Sequence, residues 1–295
     1  MSMTKIKTKL PPPGRKRAAK AREVSDGTYV YCILESPDGQ VMPESAPEGL
    51  ENGHRLEFVS SAGLAAVVSA IPLSHYGETA IEANLANAAW AATRAMRHER
   101  VVEFFASRGP LIPLRFGTIY LDRMSVERML SSRALEFRSV MKSLRGRQEW
   151  GVLIYCDHAA LVSNIVSKNA DILLLMERAA AAPPGQSYLL AKQIEALKAR
   201  TARQEISAAI VRMKEDLDAS SDQSASGPLE RRRTEHGELI ARLSFLVRAR
   251  HFGRFQATAE RLARAYVSSG FHIELVGPMP PYSFVVQKNR SSALR

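Results

Sequence analysis

Cys156-Asp157-His158 places a thiol, a carboxylate and an imidazole in one run, the residue types of a nucleophile with its base. The spacing works against that chemistry. Consecutive residues at a strand end point to opposite faces, and Cys–His dyads are built from segments distant in sequence. Cys156 reads better as the last core residue of a strand. The seven histidines (His54, His75, His98, His158, His236, His251, His272) never form H-x-x-x-H or H-E-x-x-H, and neither Cys32 nor Cys156 belongs to a CxxC. A closed zinc centre needs four such ligands at close quarters, so no metal site is expected. Phosphate-cradling patterns G-x-x-x-x-G-K-[ST] and G-x-G-x-x-G are absent, as is the G-x-S-x-G elbow. The acids mostly alternate with bases on helix faces, as in Glu195/Lys198 and Glu205/Arg212, which is how solvated helix surfaces look. Neither catalysis nor a cofactor is expected.

The elements that hold these residues can be read from periodicity. Thr28–Leu34 is a β-branched and aromatic strand, with a turn signal at Ser36-Pro37-Asp38-Gly39. Arg55–Val59 and Leu64–Ala70 read as a hairpin, and the continuous run Leu64–Val68 suits a strand covered on both faces. One helix is predicted from Glu78 to Ser107, with a stripe of Leu85, Ala89, Ala92 and Met96. Leu111–Tyr120 is a short strand holding Pro113, and Ser125–Arg145 a helix with an apolar face from Val126 to Leu144.

The second half opens with the strand Glu149–Cys156, then helices over Ala159–Asn164 and Asp171–Ala182. Ser187–Leu217 is predicted as one long helix whose two narrow stripes suit an arm with a single partner helix. Ala219–Gly227 reads as a mobile polar link; Leu239–Val247 is a strand, Phe252–Ser268 a helix and Phe271–Val276 a strand. The pattern predicts an α+β fold of two small ferredoxin-like (split βαβ) modules, the second with a long helical insertion. With so few strands, each sheet is expected to carry helices on one face. The expected division is a basic tail (1–26), an N-terminal domain (27–146) and a C-terminal domain (147–286). The latter holds an arm (about 187–218) and a link (219–229), and a second basic tail (287–295) follows.

The chain has 295 residues and a formal charge of +11, but the charge is confined to its ends. Residues 1–22 hold eight basic side chains and residues 287–295 three, with no acid in either; the remainder carries 30 bases against 30 acids. A duplex-binding domain would place its basic face on the folded body. A nucleic-acid-associated protein acting through the tails remains the alternative, and its binding would lose its salt dependence on removal of residues 1–22. Two cysteines fit a reducing cytoplasm. No apolar stretch approaches the roughly 18–20 residues of a membrane span, and the basic N-terminus has no apolar centre of a secretory signal.

Three stretches concentrate Pro, Gly and aromatics: Pro113–Thr118 (PLRFGT), Gly146–Val152 (GRQEWGV) and Gly277–Val285 (GPMPPYSFV). By one reading, the glycines make special turns and Phe116, Trp150 and Phe284 fill core gaps. By the other, the Pro-rich exit docks on the fold or on a partner as a low-entropy strand. With Tyr29-Val30-Tyr31, Leu64–Val68 followed by Pro72 and Tyr76, and His98 with Val101-Val102, these stretches resemble the gas vesicle accessory proteins GvpF and GvpL, over about residues 25–286. Met279 stands where that family usually has Trp.

The resemblance implies a non-enzymatic role in the cytoplasm, at the gas vesicle. There the protein would be a minor shell component or an assembly factor that binds the small hydrophobic shell protein, alongside other gas vesicle accessory proteins. It marks Arg115, Phe116, Gly117, Trp150, Pro278, Pro280, Pro281 and Tyr282 as family-motif or partner-contact positions. A small-ligand enzyme or sensor would instead need a polar pocket between the modules, near Arg115 and His98.

Overall fold

The computed structural model describes residues 26–35, 41–229 and 232–285. The turn signal at Ser36–Gly39 and the two tails, apart from Asp26, lie outside the described residues. The chain builds two antiparallel sheets, each with its own helices.

The first sheet contains β1 (Asp26–Glu35), β2 (Glu57–Ser61), β3 (Leu64–Pro72) and β4 (Leu111–Pro113) in the order β2-β3-β1-β4; β5 (Ile119–Tyr120) also pairs with β1. The β2–β3 turn uses Ala62 and Gly63, both at positive φ (51° and 70°), the backbone that a two-residue hairpin needs. Leu111–Tyr120 is thus two short strands around a turn. The expected Glu78–Ser107 helix is divided into α2 (Glu78–Leu85) and α3 (Ala88–Ala106), after a single turn, α1 (Leu73–Tyr76). Asn87 starts α3 by accepting the Trp90 N–H on its side chain. The predicted stripe faces water: Leu85 and Met96 are 45% and 66% exposed. His98, Val101, Val102 and Phe105 turn inward instead. Large side chains gain more from burial than alanines, and they orient the helix.

The predicted Ser125–Arg145 helix is α4 (Arg123–Ser132) and α5 (Ala134–Leu144), which bury Val126, Leu130, Phe137, Met141 and Leu144 as the periodicity indicates. Contrary to the expectation of one covered face, this sheet is covered on both. Val30, Ile33, Ala66 and Val68 pack on α4 and α5, whereas Tyr29, Tyr31, Val67 and Ile71 pack on α3 and the loop holding Leu50 and Leu56. A loop and one helix suffice to shield the second face.

The second sheet contains β6 (Arg147–Cys156), β7 (Gln223–Ser226), β9 (Gly237–Arg248) and β10 (Phe271–Met279) in the order β10-β6-β9-β7; β8 (Arg233–Thr234) also pairs with β9. Between β6 and β7 run α6 (His158–Lys168), α7 (Ala170–Ala181) and the 35-residue α8 (Pro184–Asp218). Asp157 caps α6 by accepting from the amides of Ala159 and Ala160, so it serves a helix end and not a thiol. Two expectations fail here. Ile206, Ile210, Met213 and Leu217 join one core with β6, β9 and α9 (Phe252–Tyr266), so α8 is an arm only toward its start and a core helix toward its end. The link is not a loop throughout: Gln223–Ser226 pairs with Leu243–Leu246, satisfying backbone groups that β9 would otherwise leave open.

Candidate functional site: the strap across the two sheets

The last described segment, Gly277–Val285, forms the end of β10 and then crosses to the first sheet, where Tyr282 meets His98 and Glu99. Its start is shaped by Gly277, at φ 139° and followed by a cis bond to Pro278. A Cβ at Gly277 would lie 2.9 Å from the Trp150 ring, a space only glycine leaves free. Trp150 is stacked on Phe252 with ring centroids 4.0 Å apart, and it is buried.

Two polar anchors then hold the strap. Glu149, 3% exposed, accepts the Ser283 N–H at 3.0 Å and its hydroxyl at 2.6 Å; the Ser283 Oγ also lies 3.0 Å from that of Ser244. Burial raises the Glu149 carboxyl above the usual range, and the Ser283 bonds counter part of that shift. The Tyr282 hydroxyl donates to Glu99 at 3.0 Å and lies 3.1 Å from His98 Nε2. Burial, then the Glu99 charge, push the Tyr282 phenol up.

His98 is the hub. Its side chain is fully buried, with Nδ1 2.9 Å from the Tyr29 hydroxyl and Nε2 3.1 Å from the Leu114 carbonyl. A carbonyl only accepts, so Nε2 carries the proton, and the Tyr29 hydroxyl donates to Nδ1. Tyr29 in turn accepts the Gly117 N–H at 3.1 Å. Desolvation lowers the His98 pKa to about 4, which keeps the ring neutral in this role. Beside it, the Tyr31 hydroxyl accepts from Leu50 N and faces Ser69 Oγ at 2.8 Å; burial pushes its pKa to about 12.

The structure therefore gathers the sequence-predicted positions unevenly. Phe116, Gly117 and Tyr282 meet around Tyr29 and His98, with the half-buried Phe116 ring 5.9 Å from the imidazole. Pro278, Pro280 and Pro281 line a cavity of about 430 Å³ with Glu103, Arg108 and Glu149. Trp150 sits apart, on the helix side of the second sheet. Only Arg115, Gly117 and Pro278 of the eight are exposed. Met279, where the family usually has Trp, lies against Gly151 and pairs with Glu149 in the sheet. Both His98 ring nitrogens are engaged inside the core. Cys156 is buried, and desolvation pushes its thiol up to about 11, the reverse of an activated nucleophile. The anchors Glu149 and Glu99 were not foreseen. A lone Glu within an apolar strand, three residues after Gly146, was the available signal for the first.

The strap is one of the segments on which the family resemblance rests, and it meets three others at Tyr29, His98 and Gly117. Residues 27–286 match the family model described as gas vesicle synthesis protein GvpL/GvpF. The chain belongs to this family. It is 27% identical to gas vesicle protein L1 of Halobacterium salinarum, over 90% of this chain and 93% of that one. It is 32% identical to gas vesicle protein L of a Streptomyces strain, but that match spans 45% of this chain and about half (48%) of the relative's length. The crystal structure of gas vesicle protein GvpF from Anabaena superimposes with a TM-score of 0.67 at 20% identity, covering 90% of this chain and all of that one. Two antiparallel sheets with flanking helices are thus the architecture of a GvpL/GvpF chain.

Proposed function

We propose that this member of the GvpL/GvpF family is a non-enzymatic accessory protein, either a minor shell component or an assembly factor. In this role it binds the small hydrophobic shell protein during gas vesicle formation, with other accessory proteins, in the cytoplasm. The observation that carries the reading is apolar surface outside the core. The helical hairpin of α7 and the start of α8 leaves Leu173, Leu174, Met176, Tyr188 and Leu189 between 41% and 68% exposed. Apolar surface is worth roughly 25 cal/mol per Å² on burial, so a hairpin of this kind gains by covering a similarly apolar subunit. Arg115, Gly117 and Pro278 are the motif positions offered to a partner, and Phe116, Trp150, Pro280, Pro281 and Tyr282 hold them in place.

The same reading takes each half as a split βαβ module, over residues 27–146 and 147–286, with the strap joining them. Both sheets place the first strand of the half beside its last full strand, which supports that assignment. No single helix among the described residues is long and apolar enough to cross a bilayer; α6 and α7 reach that composition only together, across an 85° bend. Co-expression with the shell protein tests the proposal. The two should co-purify, and deleting this chain should abolish buoyant vesicles in a strain without a paralogue. Normal vesicles in that strain would refute it.

A further inference from the structure

We propose that His236, His272 and Glu274 form a binding site for one divalent transition-metal ion, with zinc the best-matched occupant. His236 sits in the turn between β8 and β9, while His272 and Glu274 alternate on β10 and so share one face of the sheet. Strand β6 lies between β9 and β10, so only the fold brings these residues together. Glu274 Oε1 is 3.8 Å from His236 Nε2 and 3.5 Å from His272 Nε2, and all three ligand atoms lie within 4.8 Å of one another. A tetrahedral ion bound at about 2.0–2.1 Å sets its ligands roughly 3.4 Å apart, close to the two His–Glu separations.

The surroundings suit an ion as well. The two imidazole rings lie side by side, stacked with centroids 3.8 Å apart and planes 17° from parallel, and binding an ion would swing one ring out of the stack so that both nitrogens face a common point. The Tyr155 hydroxyl donates to Glu274 Oε2 at 3.2 Å, which leaves Oε1 toward the imidazoles. Such an outer hydrogen bond fixes a carboxylate ligand. Two imidazoles and one carboxylate form the donor set of zinc centres that keep one position open, whereas magnesium and calcium prefer oxygen alone. The three side chains are 35–40% exposed, so an ion reaches them directly and a water completes the set. Bound there, the ion would pin the β8–β9 turn to β10 across the sheet.

Titration of the full, untagged, chelator-stripped chain with ZnCl₂ tests this. The expected result is uptake of about one ion per chain with Kd of about 10 μM or tighter. His272→Ala and Glu274→Gln should each weaken it at least about tenfold and Tyr155→Phe several-fold. His251→Ala, at an exposed histidine elsewhere, should leave it unchanged. Co²⁺ added to the wild-type chain should give the intense visible bands of a four-coordinate ion, a readout independent of any variant. No stoichiometric uptake, weak octahedral cobalt bands, or uptake indifferent to both His272→Ala and Glu274→Gln would overturn the assignment.

Discussion

Acidification should destabilise this protein through His98, and the size of the effect follows from its burial. The ring is neutral in the fold with a pKa near 4, against an ordinary value of 6.5 once the chain is open. Between those values the unfolded chain binds a proton that the folded chain refuses, so stability rises with pH across the window and is lost as pH falls from about 6.5 toward 4. The full shift corresponds to about 3 kcal/mol at 1.36 kcal/mol per unit, and about 2.5 kcal/mol of it is lost by pH 4.5. That is a large part of the ~5–15 kcal/mol that holds a domain together. Glu99 and Glu149, both raised by burial, act in the opposite sense, gaining stability as they protonate. The comparison must therefore be made against a variant that removes only the imidazole. His98→Gln still donates toward the Leu114 carbonyl and accepts from Tyr29, but carries no titrating group. Urea unfolding at pH 7.5, 6.5, 5.5 and 4.5 should show the wild type losing about 2.5 kcal/mol more than His98→Gln over the range. Parallel curves for the two proteins, or an imidazole that titrates near 6.5 by NMR in the folded state, would refute the reasoning.

Other perturbations address the strap and the core. Gly277→Ala forces a positive φ on a residue with a side chain aimed at Trp150, and should lower the urea midpoint by the equivalent of at least about 1–3 kcal/mol. Ser283→Ala leaves the buried Glu149 without its closest donor and should cost about 1–3 kcal/mol, with an upward shift of the Glu149 titration seen by carboxylate NMR. Met213→Ala, at a fully buried position, should cost about 2–5 kcal/mol by calorimetry, whereas a loosely docked arm would lose almost nothing. Leu173→Glu with Leu174→Glu should leave the melting temperature nearly unchanged, because both side chains face water, yet reduce co-purification with the shell protein.

Much of this architecture was legible in the sequence where residues decide locally. The alternation along Leu239–Val247 and the apolar face from Val126 to Leu144 name buried sides through period alone, and Leu239, Leu243, Phe245, Val126, Leu130, Phe137 and Leu144 are buried as read. Alanine-rich segments misled, because Ala88, Ala89 and Ala92 carry helix propensity without enough surface to choose a face. The α8 stripes hid their role for a related reason: narrow apolar lines look alike whether the neighbour is a helix or a sheet. The strap was readable as rigid and aromatic, but its landing place was not. The bonds between Glu149 and Ser283, and between Tyr282 and Glu99, join residues 134 and 183 positions apart, a distance at which spacing rules say nothing. The His236–His272–Glu274 cluster escaped notice in the same way, since metal-ligand patterns search neighbours along the chain and this set is assembled across strands.

The proposed function has this chain offer surface to the small hydrophobic shell protein. Its most direct test is light scattering of freshly diluted shell protein with and without an equimolar amount of this chain. The wild-type chain should delay aggregation and form a complex resolvable by sedimentation, and the Leu173→Glu, Leu174→Glu variant should do neither. Aggregation that proceeds identically in the presence of the folded wild-type chain, with no complex formed, would contradict it.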